Sequence, residues 1–146
     1  MAIRYRPRIG EILECDFGLP AQPDHFNGRI PPEMVKKRMV VIMNARLCSN
    51  GYLVVPISST LNNDGIARGY HVELDQSIFQ ITNFYDRRRR WALVHHMQIV
   101  NTNRLFKLRD NKQTFQQYLT REDVEKIQRA IIKIIGASGL MSKSES

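Results

Sequence analysis

Residues 39–60 read MVVIMNARLCSNGYLVVPISST. Two Val/Ile-rich runs, MVVIMNARL and YLVVPISST, flank CSNG, and the dipeptide Asn50-Gly51 is a turn signal. β-branched side chains fit a pleated, half-buried surface, and Asn-Gly tolerates the positive φ that a tight reversal requires. The stretch therefore predicts an antiparallel hairpin, and a β-rich domain built outward from it.

Upstream, GEILECDF at residues 10–17 alternates Leu13, Cys15 and Phe17 with Glu14 and Asp16, the period-2 pattern of a half-buried strand. Between that strand and the hairpin, residues 18–37 turn polar and rich in Pro and Gly without periodicity. This predicts a long connection of the kind that often carries function. Downstream, LNNDGIARGY reads as a loop, YHVELD as a strand, and FYDRRRRWALVHHMQIV as a turn, a basic stretch and a further β-type run. The pattern changes in LTREDVEKIQRAIIKIIG, where Val124, Ile127, Ile131 and Ile134 recur along one helical face. Thr120 is the predicted N-cap, Glu122 and Asp123 lie in the first turn, and Gly136 suits a left-handed stop. The reading is one domain over residues 1–137, mainly β with a C-terminal helix, followed by a Ser-rich mobile tail over 138–146. Several short strands and one helix suggest a bent sheet or small barrel, and too few helices are present to cover a doubly wound sheet.

The net charge of +8 predicts attraction to polyanions, with nucleic acid as the first partner to consider. Cys15 and Cys48 lack CxxC spacing and read as reduced, strand-embedded small hydrophobes. No run approaches the ~18 apolar residues needed to span a bilayer, so a soluble cytoplasmic protein without membrane partners is expected.

Four groups carry candidate chemistry. Lys36, Lys37 and Arg38 stand where the long loop meets a strand, a place for a fixed charge against a phosphate, or for a solvated strand end. Ser58, Ser59 and Thr60 end a strand where hydroxyls can donate to phosphate oxygens or cap their own backbone. Arg87, Arg88, Arg89 and Arg90 beside Trp91 combine charge with a stacking surface for an unpaired base, or form a solvated loop next to a core tryptophan. His95 and His96, read as neighbours on a strand, point to opposite faces, which argues against a shared metal ion and leaves each a candidate acid/base or a structural ring.

In order along the chain, RPRIGEILECDF, EMVKKRMVVIMN, LVVPISST and WALVHHMQIVNTNRL resemble the blocks of the MazF/PemK family of type II toxins, in its longer branch. The resemblance spans roughly residues 6 to 136. It implies an SH3-like small β-barrel with a C-terminal helix, a homodimer, a cognate acidic antitoxin, and cleavage of single-stranded RNA without metal or other cofactor. In such toxins the 2′-hydroxyl attacks the adjacent phosphate to leave a cyclic phosphate. By the same resemblance the catalytic arginine falls on Arg38, the phosphate-contacting hydroxyl on Ser58, and the proton-transfer position on His95, where some members carry an acid. Lys37, Ser59, Arg87 to Arg90 and Gln98 become substrate contacts. The chain departs from the pattern at Met39, where proline is usual, and at Leu93, where a basic residue is common. Two other readings stand beside the ribonuclease: a toxin-like module that binds RNA or antitoxin without cutting, and a gyrase-directed toxin of the same fold.

Overall fold

In the computed structural model, the residues described are 1–21, 28–29, 33–44, 47, 50–82 and 86–142. Cys48, half of the cysteine reading, lies outside them. The predicted hairpin forms as β2 (Lys37–Ile42) and β3 (Gly51–Ser58), antiparallel with Val41 opposite Val55. β1 (Glu11–Asp16) pairs along the other edge of β2, with Leu13 opposite Val40. β2 is thus central, and its side chains divide between two cores. Met39 and Val41 join Ile12, Val55 and Ile57 on one face, while Val40 and Ile42 join Leu13, Cys15, Tyr52 and Val54 on the other. Cys15 is fully buried, which pushes its thiol up to about 12 and leaves it the inert small hydrophobe the alternation suggested.

Both long strands fork. β3 pairs through Ile57 and Ser58 with β5 (Trp91–Leu93), and through Gly51 to Val54 with β6 (Gln98–Asn101). β1 pairs with β7 (Leu105–Phe106) at one end and β10 (Gln117–Tyr118) at the other. β4 (His71–Glu73) adds to β5, and β8 (Leu108–Asp110) with β9 (Gln113–Phe115) forms a separate hairpin. The sheet order is β10-β1-β2-β3-β5-β4, and among the described residues its ends do not hydrogen-bond to each other. Among the described residues the sheet is therefore not a closed barrel, while its mainly antiparallel strands and C-terminal helix are those of the expected barrel-like fold.

The run read as continuous β from Trp91 is interrupted. Extending the β5 register would set Val54 opposite His95, but Val54 faces Gln98. The three residues of slip are Val94–His96, which form a 3-10 turn. The sequence LNNDGIARGY, read as loop, contains a short helix, α1 (Asn63–Ala67), started by the Asn62 side chain accepting the Gly65 N–H at 2.9 Å.

The terminal helix, α2 (Arg121–Ile134), follows its sequence signals closely. Thr120 Oγ1 accepts the Asp123 N–H at 3.1 Å. Asp123, almost fully buried, also accepts the Asp75 N–H at 2.7 Å and so ties the helix start to the segment leaving β4. At the other end Gly136 has φ +76°, and the Ala137 N–H reaches the Ile132 carbonyl at 2.8 Å, a Schellman closure. Val124, Ile127 and Ala130 seal the first core, and complete burial of Ile127 contributes roughly 1.5–3 kcal/mol. Beyond it, in the segment expected to be mobile, Gly139–Ser142 forms one helical turn, α3; residues 143–146 lie outside those described.

The base of the long loop is fixed by backbone. The Phe17 N–H donates to the Lys36 carbonyl at 2.9 Å and the Lys36 N–H to the Gly18 carbonyl at 2.7 Å. Lys36 is held there at φ +66°, in the left-handed region that costs a side chain with Cβ about 1–2 kcal/mol. Lys36→Val is expected to lower unfolding free energy by about 1–2 kcal/mol, because a β-branched residue fits that conformation worst. Lys36→Gly is expected to be neutral or mildly stabilising; urea denaturation of the two variants checks the ordering.

Candidate active site

Three segments converge at the end of the β2–β3 hairpin. Continuing the pairing of Val40 with Pro56 two residues along sets Arg38 level with Ser58, on the same face of the sheet. Ser58 in turn lies opposite Trp91 of β5, which brings in the arginines just before it. The result is a cleft of ≈ 290 Å³ in which Lys37, Arg38, Ser58, Ser59, Arg88 and Arg90 meet.

Each group is held differently. The Arg38 Nε–H donates to the Val35 carbonyl at 3.2 Å, which aims the guanidinium from a half-buried position. Ser58 Oγ accepts the Thr60 N–H at 3.1 Å. That bond is the self-capping turn foreseen from the sequence, and it leaves the hydroxyl hydrogen to donate elsewhere. Arg90 is almost fully buried: its Nη2 donates to the Asp86 carbonyl at 2.8 Å and its guanidinium lies 4.8 Å from the Phe79 ring centre. Arg88 pairs with Asp86 at the rim, and the hydrogen bond from Arg88 holds the Asp86 carboxyl below its usual range. Arg89 turns the other way, onto Glu73 at 2.7 Å and over the Trp91 ring at 5.0 Å. Arg87 is exposed and outside the cleft lining.

Met39 and Leu93, the two departures from the family pattern, are core residues of the first and second clusters. Gln98 is not in the cleft; its side chain accepts a hydrogen bond from Arg29 Nη2 at 2.8 Å. Sequence reasoning missed Asp86, whose position directly before the arginine run was the available signal, and His71, which stood in a strand.

The histidines occupy a neighbouring patch. The 3-10 turn removes the strand alternation that was expected to separate them: the His95 and His96 ring centres are 4.0 Å apart. His95 also stacks on His71 at 5.2 Å and on Tyr70 at 5.3 Å. Neither ring lines the cleft, but His96 lies within the field of Arg38. Burial lowers all three proton affinities, with mutual repulsion adding to the effect on His71 and His96 and Arg38 adding further on His96. Nδ1 of His71 is buried without a hydrogen-bond partner among the described residues, as is the Trp91 indole nitrogen. Among the described residues no group of three or more His, Cys, Asp or Glu side chains is arranged to hold a metal ion.

Residues 8–135 match the family of PemK-like, MazF-like toxins of type II toxin–antitoxin systems. The chain belongs to this family. Among relatives of this PemK-like chain are an uncharacterized protein of Haemophilus influenzae, 51% identical over 96% of this chain and 97% of its own length, and the putative uncharacterized protein YifN of Escherichia coli K12, 41% identical over 97% and 100%. The fold matches MazF of Deinococcus radiodurans with a TM-score of 0.62 at 10% identity, over 91% of this chain and 99% of that one. A MazE–MazF structure from the same organism matches with a TM-score of 0.56 at 10% identity, over 90% and 98%. The resemblance read from the blocks of sequence thus holds at the level of family and of a mainly antiparallel β fold with a C-terminal helix. No helix among the described residues is long and apolar enough to cross a membrane.

Because His71, His95 and His96 bind protons less readily folded than unfolded, the unfolded chain takes up more protons as pH falls through the ordinary histidine range near 6.5. Stability is therefore expected to fall from pH 7.5 to pH 5.5. Replacing His95 by Gln should reduce that fall, measured as the change in thermal midpoint between the two pH values.

Proposed function

We propose that this PemK-like toxin is a metal-independent endoribonuclease acting on single-stranded RNA in the cytoplasm. The observation that carries the reading is the cleft joining Arg38 to Ser58 and Ser59 from adjacent strands, a cationic fork beside hydroxyl donors. Such a set fits a phosphodiester: the guanidinium takes two nonbridging oxygens and the hydroxyls a third contact. The 2′-oxygen attacks phosphorus, the O2′–P bond forms and the P–O5′ bond breaks, leaving a 2′,3′-cyclic phosphate and a 5′-hydroxyl. Arg38 stabilises the charge that builds on phosphorus-bound oxygens and donates the proton that the departing O5′ takes up, regaining one from solvent. His95 accepts the 2′-hydroxyl proton, with the His96 ring in contact with it and within the field of Arg38. Lys37, Arg88 and Arg90 extend the positive field for neighbouring phosphates, and Arg87, Arg89 and Gln98 act as outer substrate contacts. The toxin works as a homodimer restrained by an acidic antitoxin, a partner suited to a +8 chain and in keeping with the MazE–MazF structure of similar fold.

Incubation with long RNA in EDTA is expected to give cyclic phosphate ends, with Arg38→Ala lowering kcat/KM by about 10²–10³ and Ser58→Ala by about tenfold. Absence of cleavage by folded protein, or full activity in Arg38→Ala, would overturn the reading. With both histidine affinities lowered, a histidine base stays neutral to below pH 6.5, so the acid limb of the rate profile should fall below that value. That limb should vanish in His95→Ala; its loss in His96→Ala alone would move the role to His96.

A second reading, RNA binding without cleavage, is motivated by the exclusion of both histidines from the cleft lining. It predicts salt-sensitive RNA binding with no cyclic phosphate product.

A further inference from the structure

A second, larger groove of ≈ 700 Å³ opens on the other side of Lys37, which lines both it and the Arg38 cleft. Besides Lys37, its cations come from three places in the chain. Arg4 comes from the N-terminal segment and Lys107 from the link between β7 and β8. Arg109 and Thr114 are cross-strand partners of the β8–β9 hairpin, so their side chains share the hairpin face that looks into the groove. Against these cations the lining contributes one carboxylate among the described residues, Glu14, set opposite Phe106 where β1 meets β7. Phe106 and Tyr5 add aromatic surface, and Lys107 Nζ sits 5.2 Å from the Tyr5 ring centre.

Cations spaced along a groove with aromatic rings in its wall are the features that follow a single-stranded backbone while offering stacking for its bases. Continuity through Lys37 favours a strand that also occupies the first cleft over an unrelated ligand. We infer that this groove carries the continuation of the same single-stranded RNA beyond the nucleotides held at Arg38, with Lys37 at the junction and Arg4, Lys107 and Arg109 on successive phosphates. The inference rests on the ribonuclease reading and deepens it. The described structure makes the toxin's footprint longer than the reacting dinucleotide, and binding should gain from added length.

The test uses full-length protein and random-sequence 2′-O-methyl RNA pools, which lack the attacking hydroxyl, of about 4 and about 12 nucleotides. Fluorescence anisotropy across a salt series compares wild type with Lys107→Gln/Arg109→Gln, with circular dichroism to verify folding. Loss of two phosphate contacts should lower the slope of log affinity against log salt by about 1.4 on the longer pool and weaken it on the order of tenfold at 0.1 M salt. The loss on the shorter pool should be smaller. An unchanged slope and affinity on the longer pool, while wild type still cuts RNA in an Arg38-dependent way, would overturn the groove and leave the ribonuclease reading standing. Wild type that neither binds nor cuts RNA would overturn both. A variant that loses binding to poly-glutamate but keeps RNA binding would overturn the inference in favour of an acidic peptide.

Discussion

β2 is hydrogen-bonded along both edges and feeds side chains into both cores, so its position is tightly constrained. Arg38 sits one residue in from the start of that strand. The first residues of the strand are therefore anchored by everything behind them: Val40 and Val41 are wholly buried, and moving Arg38 would require moving one or both cores. A flexible cationic side chain borrows the rigidity of an apolar strand. Ser58 benefits in the same way, because β3 is the next strand over and its pairing, continued two residues beyond Pro56, sets Ser58 level with Arg38.

The forks in β1 and β3 explain how a small sheet builds a site at one end. When β3 exchanges β6 for β5, the pairing slips by the residues of the Val94–His96 turn, and the chain brings a buried tryptophan, the arginine run and the histidine cluster to one side. The buried Arg90 then serves the fold by binding the backbone carbonyl of Asp86, while its neighbour Arg88 remains at the surface. The four arginines, uniform in sequence, are thus divided by alternation and burial into a structural one, two in surface ion pairs and an exposed one.

The terminal helix was legible because its signals are local: Thr120 caps, Gly136 stops, and the apolar positions repeat at helical spacing. The β2–β3 hairpin was legible for the same reason. The turn at His95 was not, since Val94, His96 and Met97 suit a strand as well as a turn and the deciding fact is a register slip set by β3, some forty residues away. α1 escaped notice because five residues carry no periodicity, leaving only the Asn62 cap as a clue. Arg38 and Ser58 could be named from the ordered blocks, but their meeting depends on strand register, and the second groove on the cross-strand match of Arg109 with Thr114, neither of which a linear pattern contains.

The pairing of Arg88 with Asp86 gives the cleft a resident anion of its own. Any incoming phosphate competes with a carboxylate that is tethered two residues from its partner and pays almost no entropy to return. A small free anion is poorly placed to win that exchange, whereas one phosphate of a chain held elsewhere arrives at a raised local concentration. On the ribonuclease reading, the short acidic side chain thereby acts as a filter for connectedness, favouring linked phosphates over solitary ones.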